Sequence, residues 1–265
     1  MIRNYELNLI DYLKEYNNID ENLALENKLA IRALMNITNP KDLDEEYYKM
    51  QDAYLQRLLE ESFVEDAEEL PMIEEKVALW NGDITLIKAD VIVNSACPNL
   101  EGSYEPLHMS NDNAIHSFAG LQLRRDCIKL IQEQGFDEEI GKCKVTKGYN
   151  LPCEYIFHTV TPRISEEVTK EDEDNLKKCY LSCLRRMEVV NCKTICFPLL
   201  ASIEYNFPID LEIKIAVDTV RKYISDNKDT VIEKVVFCAS NYYEEEEFER
   251  YLTKKEFKLV KKFSK

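Results

Sequence analysis

Hydrophobic positions recur with helical spacing over the first 70 residues. Leu7, Ile10, Leu13 and Tyr16 form one stripe, and a second run over 20–35 carries Leu23, Leu29, Ile31 and Leu34. The second run stops before Asn36 and the Asn39-Pro40 turn, where a helix should end. A third run over 43–59 carries Tyr47, Met50, Tyr54 and Leu58. The acidic stretch 60–69 reads as a solvated connection, because dense like charge opposes compaction. Pro71 opens the second part of the chain.

From Glu75 the pattern changes to alternation. Val77 to Trp80 and Ile84 to Ile87 read as strand pieces around Asn81-Gly82-Asp83, and Val91-Ile92-Val93 as a short strand buried on both faces. A loop rich in Gly, Pro, Asn and Ser follows over 94–110. Asp112 then offers an N-cap for one helix through Gln134, closed by Gly135. Strand signals at 142–150 and 155–160 precede a helix at 172–189 and a strand at 194–199. A helix at 209–225, a strand at 231–239 and a helix at 244–263 complete the series. Strands alternating with helices predict an α/β fold, with a mostly parallel sheet between two helical layers. In such sheets ligands bind beyond the carboxyl ends of the strands. That rule places the loops after Val93, Leu199 and Ala239 on the binding rim.

Composition narrows the function classes. The chain has six glycines among 265 residues, all between Gly82 and Gly148, where ordinary usage of about 7% would give roughly eighteen. Neither a GxGxxG turn nor a GxxxxGK[ST] loop is present, which excludes the glycine-loop nucleotide folds. The net charge is −16, and it is uneven: residues 1–75 hold 7 Lys+Arg against 19 Asp+Glu, a net −12, leaving −4 for the rest. An acidic surface repels nucleic-acid backbones, so no nucleic-acid partner is expected. Nine cysteines without a CxxC pair read as reduced thiols of a cytoplasmic protein rather than a disulfide framework. No signal-peptide core and no run of about 18 apolar residues occurs, so no membrane association is expected.

The candidate chemistry lies in two rim loops. One begins Asn94-Ser95-Ala96-Cys97 and runs to Gly102. The other is Leu200-Ala201-Ser202-Ile203-Glu204-Tyr205-Asn206-Phe207-Pro208 and leads into a helix. A strand, a loop of small residues and a helix N-terminus form an anion site by backbone geometry, although most such turns bind nothing. In order along the chain stand Leu79-Trp80-Asn81-Gly82-Asp83-Ile84-Thr85, Asp90-Val91-Ile92-Val93-Asn94-Ser95-Ala96, Asp112-Asn113-Ala114-Ile115-His116 with Phe118-Ala119-Gly120, and Gly148-Tyr149-Asn150-Leu151-Pro152-Cys153. This series resembles the macrodomains, the fold that binds ADP-ribose, and more narrowly the microbial zinc-containing macrodomains that act as protein-ADP-ribose hydrolases. Ala33-Leu34-Met35-Asn36 and Gln51-Asp52-Ala53-Tyr54-Leu55 resemble the helical N-terminal extension of that group. The resemblance implies an extension over 1–70 and a three-layer macrodomain with a mixed sheet over 71–265.

It also implies roles. Asp83, as a buried carboxylate, would accept a hydrogen bond from the adenine amine beside the Ile84 backbone. Asn94 would contact the distal ribose and is the candidate catalytic residue, with His108 a second one. Ala96 and Gly102 would line the first loop. The loop over Ala201, Ser202, Ile203, Glu204 and Tyr205 would wrap the diphosphate through backbone N–H groups, and Asn241 and Tyr242 would border the adenine.

The departures carry more information. Zinc-containing relatives show two cysteines flanking a histidine in the first loop. Here the stretch reads Gly102-Ser103-Tyr104-Glu105-Pro106-Leu107-His108-Met109-Ser110. The histidine position is kept as His108, and serine stands at both cysteine positions, Ser103 and Ser110. A hydroxyl is a poor structural zinc ligand, so the zinc is predicted lost and no cofactor is expected. Cys97 stands where the family has a second asparagine. Ile203 stands where the phosphate loop has glycine, and a β-branched residue opposes both positive φ and close approach to phosphate. Cys97, His108 and His116 could in principle rebuild a site, but ordinary loop and helix roles are the preferred reading, with Tyr104 and Glu105 on the surface. The implied function is recognition of ADP-ribose, a related nucleotide or an ADP-ribosylated protein, with zinc-dependent hydrolysis weakened or lost. An active hydrolase with a rebuilt site, and an interaction module whose acidic N-terminal helices meet a protein partner, remain as alternatives.

Overall fold

The computed structural model describes residues 2–20, 23–201 and 206–260. Eight strands, β1 Glu65–Asp66, β2 Met72–Glu74, β3 Val77–Asn81, β4 Ile87–Ala96, β5 Cys143–Lys147, β6 Cys153–Val160, β7 Thr194–Pro198 and β8 Lys234–Ala239, make one sheet. The path runs β2-β3-β8-β7-β4-β6-β5, with β1 attached to β4. The five central strands run parallel, and β2 and β5 close the two edges antiparallel. The mixed, mostly parallel sheet expected from the sequence is the one observed.

Alternation along β4 decides which layer each residue joins. Val91 and Val93 face Leu176, Tyr180 and Leu184 of α6 (Lys170–Val190), together with residues of α7 (Ile209–Asp226) and Phe248 of α8 (Tyr242–Val260). Ile92 faces the opposite layer with Ile115 of α4 (Asn111–Ala119) and Leu123 of α5 (Leu121–Gln134). The N-terminal helices α1 (Ile2–Tyr16), α2 (Asn27–Ile37) and α3 (Glu45–Glu60) pack around Leu13, Ile31, Leu34 and Tyr47, and lean on α5 through Leu121. Polar side chains complete that join. Gln51 of α3, itself buried, accepts from Leu121 N at 2.8 Å, and Asn36 Nδ2 donates to Ser117 Oγ at 2.9 Å.

Several local expectations are corrected. In α1 Leu9 and Leu13 are buried, whereas Leu7 is exposed. Helix α2 begins at Asn27 rather than near 20, and Leu23 packs on the N-terminal core from the segment ahead of it. The stretch 60–69 is not wholly solvated. Glu65 and Asp66 pair with Ile87 and Lys88, Asp66 Oδ2 takes Lys88 Nζ at 2.7 Å, and Ala67 is buried. Ile84–Leu86 is a 3-10 turn, not a strand, since Asp83 Oδ1 accepts from Thr85 N at 2.9 Å and from Thr85 Oγ1 at 2.7 Å. The cap of α4 is Ser110, whose hydroxyl accepts from Asn113 N at 3.0 Å; Asp112 is not the cap. The predicted single helix to Gln134 is two helices, broken at Gly120 with φ of 99°. A Cβ there would lie 2.4 Å from Gln51 Nε2, so glycine lets α3 approach the break. No helix among the described residues is long and apolar enough to cross a membrane.

Candidate functional site

The carboxyl ends of β3, β4, β7 and β8 open onto one cleft of about 500 Å³. Gly82 and Asp83 lie just past β3, Ser95 on β4, Leu199 and Leu200 past β7, and Ser240 past β8. The opposite wall is the N-terminus of α4, with Ser110, Asn111 and Asp112, and α2 contributes Arg32. A helix N-terminus and the Arg32 guanidinium bring positive charge to this wall, and the Asp112 carboxylate stands beside them. Arg32 Nη2 donates to Asn113 Oδ1 at 3.0 Å. Burial lowers the pKa of Arg32, and the Asp83 carboxylate partly offsets that.

The expected site residues separate into those on the cleft and those beneath it. Asp83 is on the cleft but exposed, not buried as anticipated, because it caps the 3-10 turn from the end of a strand. Ile84 is buried in that turn. Asn94 is fully buried under the floor. Its Nδ2 donates to Asp112 Oδ1 at 2.7 Å and meets His158 Nδ1 at 3.1 Å, while Asn94 Oδ1 has no hydrogen-bond partner among the described residues. Ala96 is buried at the end of β4, and Gly102, with φ of 72°, packs its α-carbon against the His116 ring. Ala201 N donates to Glu212 Oε1 at 3.0 Å, beside the bond from Leu200 N to the same oxygen. Those two N–H groups therefore point inward to a carboxylate, correcting the expectation that Ala201 would present its amide to a diphosphate. Ser202, Ile203, Glu204 and Tyr205 lie outside the described residues. Asn241 caps α8, accepting from Glu244 N at 3.0 Å, and Tyr242 stands in solvent.

The residues at the family's zinc positions form a hydrogen-bonded turn. His108 Nδ1 meets Ser110 Oγ at 3.1 Å, and that hydroxyl also caps α4. Ser103 Oγ accepts from Glu105 N at 3.1 Å. Two capping hydroxyls and one imidazole do not fit a structural zinc site, which needs thiolates or further imidazoles. Arg124 of α5 fixes the same loop from inside. It is buried, donates to Glu101 O at 2.7 Å and Ser103 O at 2.8 Å, and reaches Asn36 O at 2.6 Å and Thr38 O at 3.0 Å. Tyr104 is exposed as expected, and its ring covers the Arg124 guanidinium at 4.3 Å.

Cys97, His108 and His116 are not assembled into one donor cluster. Cys97 Sγ instead meets Arg163 Nη2 at 3.6 Å, and His116 lies buried below Asp112, with Nε2 3.5 Å from Asp112 Oδ1. Desolvation, reinforced by Arg124, holds the His116 pKa well below the ordinary imidazole value, so this contact is not an ion pair. Among the cleft residues that sequence reasoning missed, Asp112 and Arg32 are the charged ones. Asp112 and His116 stand four apart on one helix, a spacing that puts both on one face. Arg32 interrupts the apolar run of α2 between Ile31 and Leu34.

An open parallel sheet with a cleft at its carboxyl edge, walled by a helix N-terminus, defines a ligand-binding α/β domain. The chain belongs to the Macro domain family, whose model matches residues 93–216. It is 37% identical over 216 residues to a protein-ADP-ribose hydrolase of Treponema medium, covering 80% of this chain and 82% of that protein. A protein-ADP-ribose hydrolase of Staphylococcus aureus is 39% identical over 207 residues, covering 78% of this chain and 77% of the relative. Among solved structures, a mutant of the Oceanobacillus iheyensis macrodomain with ADPR superposes with a TM-score of 0.61 at 26% identity, over 69% of this chain and 95% of that one.

Proposed function

We propose that the chain recognises ADP-ribose, free or attached to protein, in the cleft above β4, and that zinc-dependent hydrolysis is weakened or lost. The observation that carries this reading is the use of both serine hydroxyls, Ser103 and Ser110, as turn and helix caps where zinc-containing relatives have cysteine. The cleft itself retains a carboxylate at Asp83 for an exocyclic amine and a cationic wall at Arg32 for a diphosphate. Hydrolysis without zinc is the second reading. It is favoured by Asp112, a cleft carboxylate held in place by Asn94 and suited to orient a water.

Calorimetry with ADP-ribose and a hydrolysis assay on ADP-ribosylated protein, each with and without added Zn²⁺, test both readings. The expected result is saturable binding with turnover that Zn²⁺ does not stimulate. Restoring cysteine by Ser103→Cys with Ser110→Cys is expected to create zinc stimulation. Absence of binding heat at high ligand concentration would overturn recognition. Zinc-stimulated turnover by the unaltered protein would overturn the loss.

A further inference from the structure

Behind the cleft, three metal-ligating side chains converge from three different elements. His116 comes from α4, Cys127 from α5 and His158 from β6, and their donor atoms all lie within 4.8 Å of one another. All three residues are buried. Among the described residues this is the one group of three or more such donors at that spacing. A second observation singles it out. Neither ring nitrogen of His116 has a hydrogen-bond partner among the described residues. Buried polar atoms are normally satisfied, and an orphan imidazole demands an explanation. Gly102 presses on the same ring, where a Cβ would lie 2.7 Å from Cδ2, and Asp112 Oδ1 approaches Nε2 only to 3.5 Å, so packing and not a hydrogen bond holds the imidazole.

We propose that His116, Cys127 and His158 bind one soft or borderline transition-metal ion, zinc first, as a buried three-donor site that staples α4 and α5 to β6. Two imidazoles and a thiolate suit zinc and copper(I), whereas magnesium and calcium prefer oxygen donors. The ligands must be neutral imidazoles. Burial already holds both in that state, with His158 pushed down to about 3. The thiol carries its proton in the empty site, since burial pushes Cys127 up. Binding therefore breaks the S–H bond, forms the sulfur–metal bond and releases one proton, with no change of oxidation state. Bonds of about 2.0–2.3 Å place donors roughly 3.3–4 Å apart, so the cluster closes by about 1 Å of side-chain movement.

The surroundings fit an outer shell. Asn94 Nδ2 and Thr146 Oγ1 sit on the two ring nitrogens of His158, at 3.1 and 2.9 Å. One of these bonds yields to the ion, and the other remains to fix the ring. A divalent ion with one thiolate leaves a single positive charge. The Arg124 charge opposes it, and the Asp112 carboxylate, 3.5 Å from His116 Nε2, offsets it. The proposal is independent of ADP-ribose recognition, and it uses none of Ser103, His108 and Ser110 as a ligand.

Metal retention by the full chain tests it. The protein is equilibrated with Zn²⁺, desalted and measured by mass spectrometry, and Co²⁺ loading is followed by absorbance. One retained equivalent is expected, with a thiolate-to-cobalt charge-transfer band. Cys127→Ser and His116→Gln are each expected to weaken retention by about ten-fold or more, and His108→Ala to leave it unchanged. Circular dichroism checks that each variant folds. X-ray absorption on the unaltered protein, expected to report two nitrogens and one sulfur, decides the matter if a variant does not fold. No retained metal, retention lost with His108→Ala, or retention and band intact in a folded Cys127→Ser would each overturn the proposal.

Discussion

Arg124→Lys isolates the contribution of one buried fork. The native guanidinium is 1% exposed and serves four backbone carbonyls at 2.6–3.0 Å: Glu101 and Ser103 in the cleft-side loop, and Asn36 and Thr38 at the end of α2. Leu107 N adds one further bond from that loop to Asn36 Oδ1, at 2.9 Å. Lysine keeps the charge but concentrates three donors on one atom, so it cannot span both carbonyl pairs. Hydrogen bonds to charged groups are worth about 1.5–3 kcal/mol each, and disrupting a buried charged network costs about 3–5 kcal/mol. Some relaxation is certain, so a loss of about 3 kcal/mol is the working value. At about 2–4 °C per kcal/mol for a chain of this size, the midpoint falls by roughly 10 °C. Thermal unfolding followed by near-ultraviolet circular dichroism measures it, with limited proteolysis of the loop as a local readout. Arg124→Met, which leaves every carbonyl without a donor, should fall further. A drop under about 3 °C for the lysine variant, with no new cleavage, would refute the claim that the fork organises the loop.

Two further outcomes follow from the same region. Gly102→Ala should cost about 1–3 kcal/mol more than Gly135→Ala in denaturant unfolding. Both positions have positive φ, but a Cβ at 102 meets the His116 ring at 2.7 Å whereas one at 135 meets nothing within 4 Å. Equal costs would show that the ring yields freely. In chelator-stripped protein, stability should fall on acidification from about pH 6.5 toward 3. The unfolded chain binds a proton on His158 that the folded chain, with its pKa pushed down to about 3, refuses. At pH 5 that single group accounts for about 2 kcal/mol, and because buried His116 contributes in the same sense, His158→Gln should reduce the slope between pH 7 and 5 by about half. An unchanged slope would refute the assignment.

Periodicity revealed what depends on neighbours in sequence. Helix α6 was legible over 172–189 against Lys170–Val190, and the apolar run around Val91-Ile92-Val93 announced a doubly covered strand. The breaks were less legible because each is made from outside. Gly120 splits a continuous helical pattern since Gln51, far away in sequence, occupies the space a side chain would need. The 3-10 turn at Ile84–Leu86 hides inside an apolar run because Asp83 folds back on Thr85. At the site, the family resemblance offered Asp83 as a ligand contact; the structure sets it on the cleft, exposed where a buried carboxylate was expected. The resemblance marked Asn94 without showing that its amide is committed beneath the floor to Asp112 and His158. The reason is the pleat: Ser95 reaches the cleft and Asn94 the opposite layer, because adjacent strand residues face opposite ways. Whatever Asn94 does for a bound ligand therefore passes through Asp112, the carboxylate it holds. That makes Asp112→Asn the more informative variant for separating recognition from hydrolysis. It preserves shape and removes the charge, so turnover should fall while ADP-ribose binding persists, and parallel loss of both would place Asp112 in recognition instead.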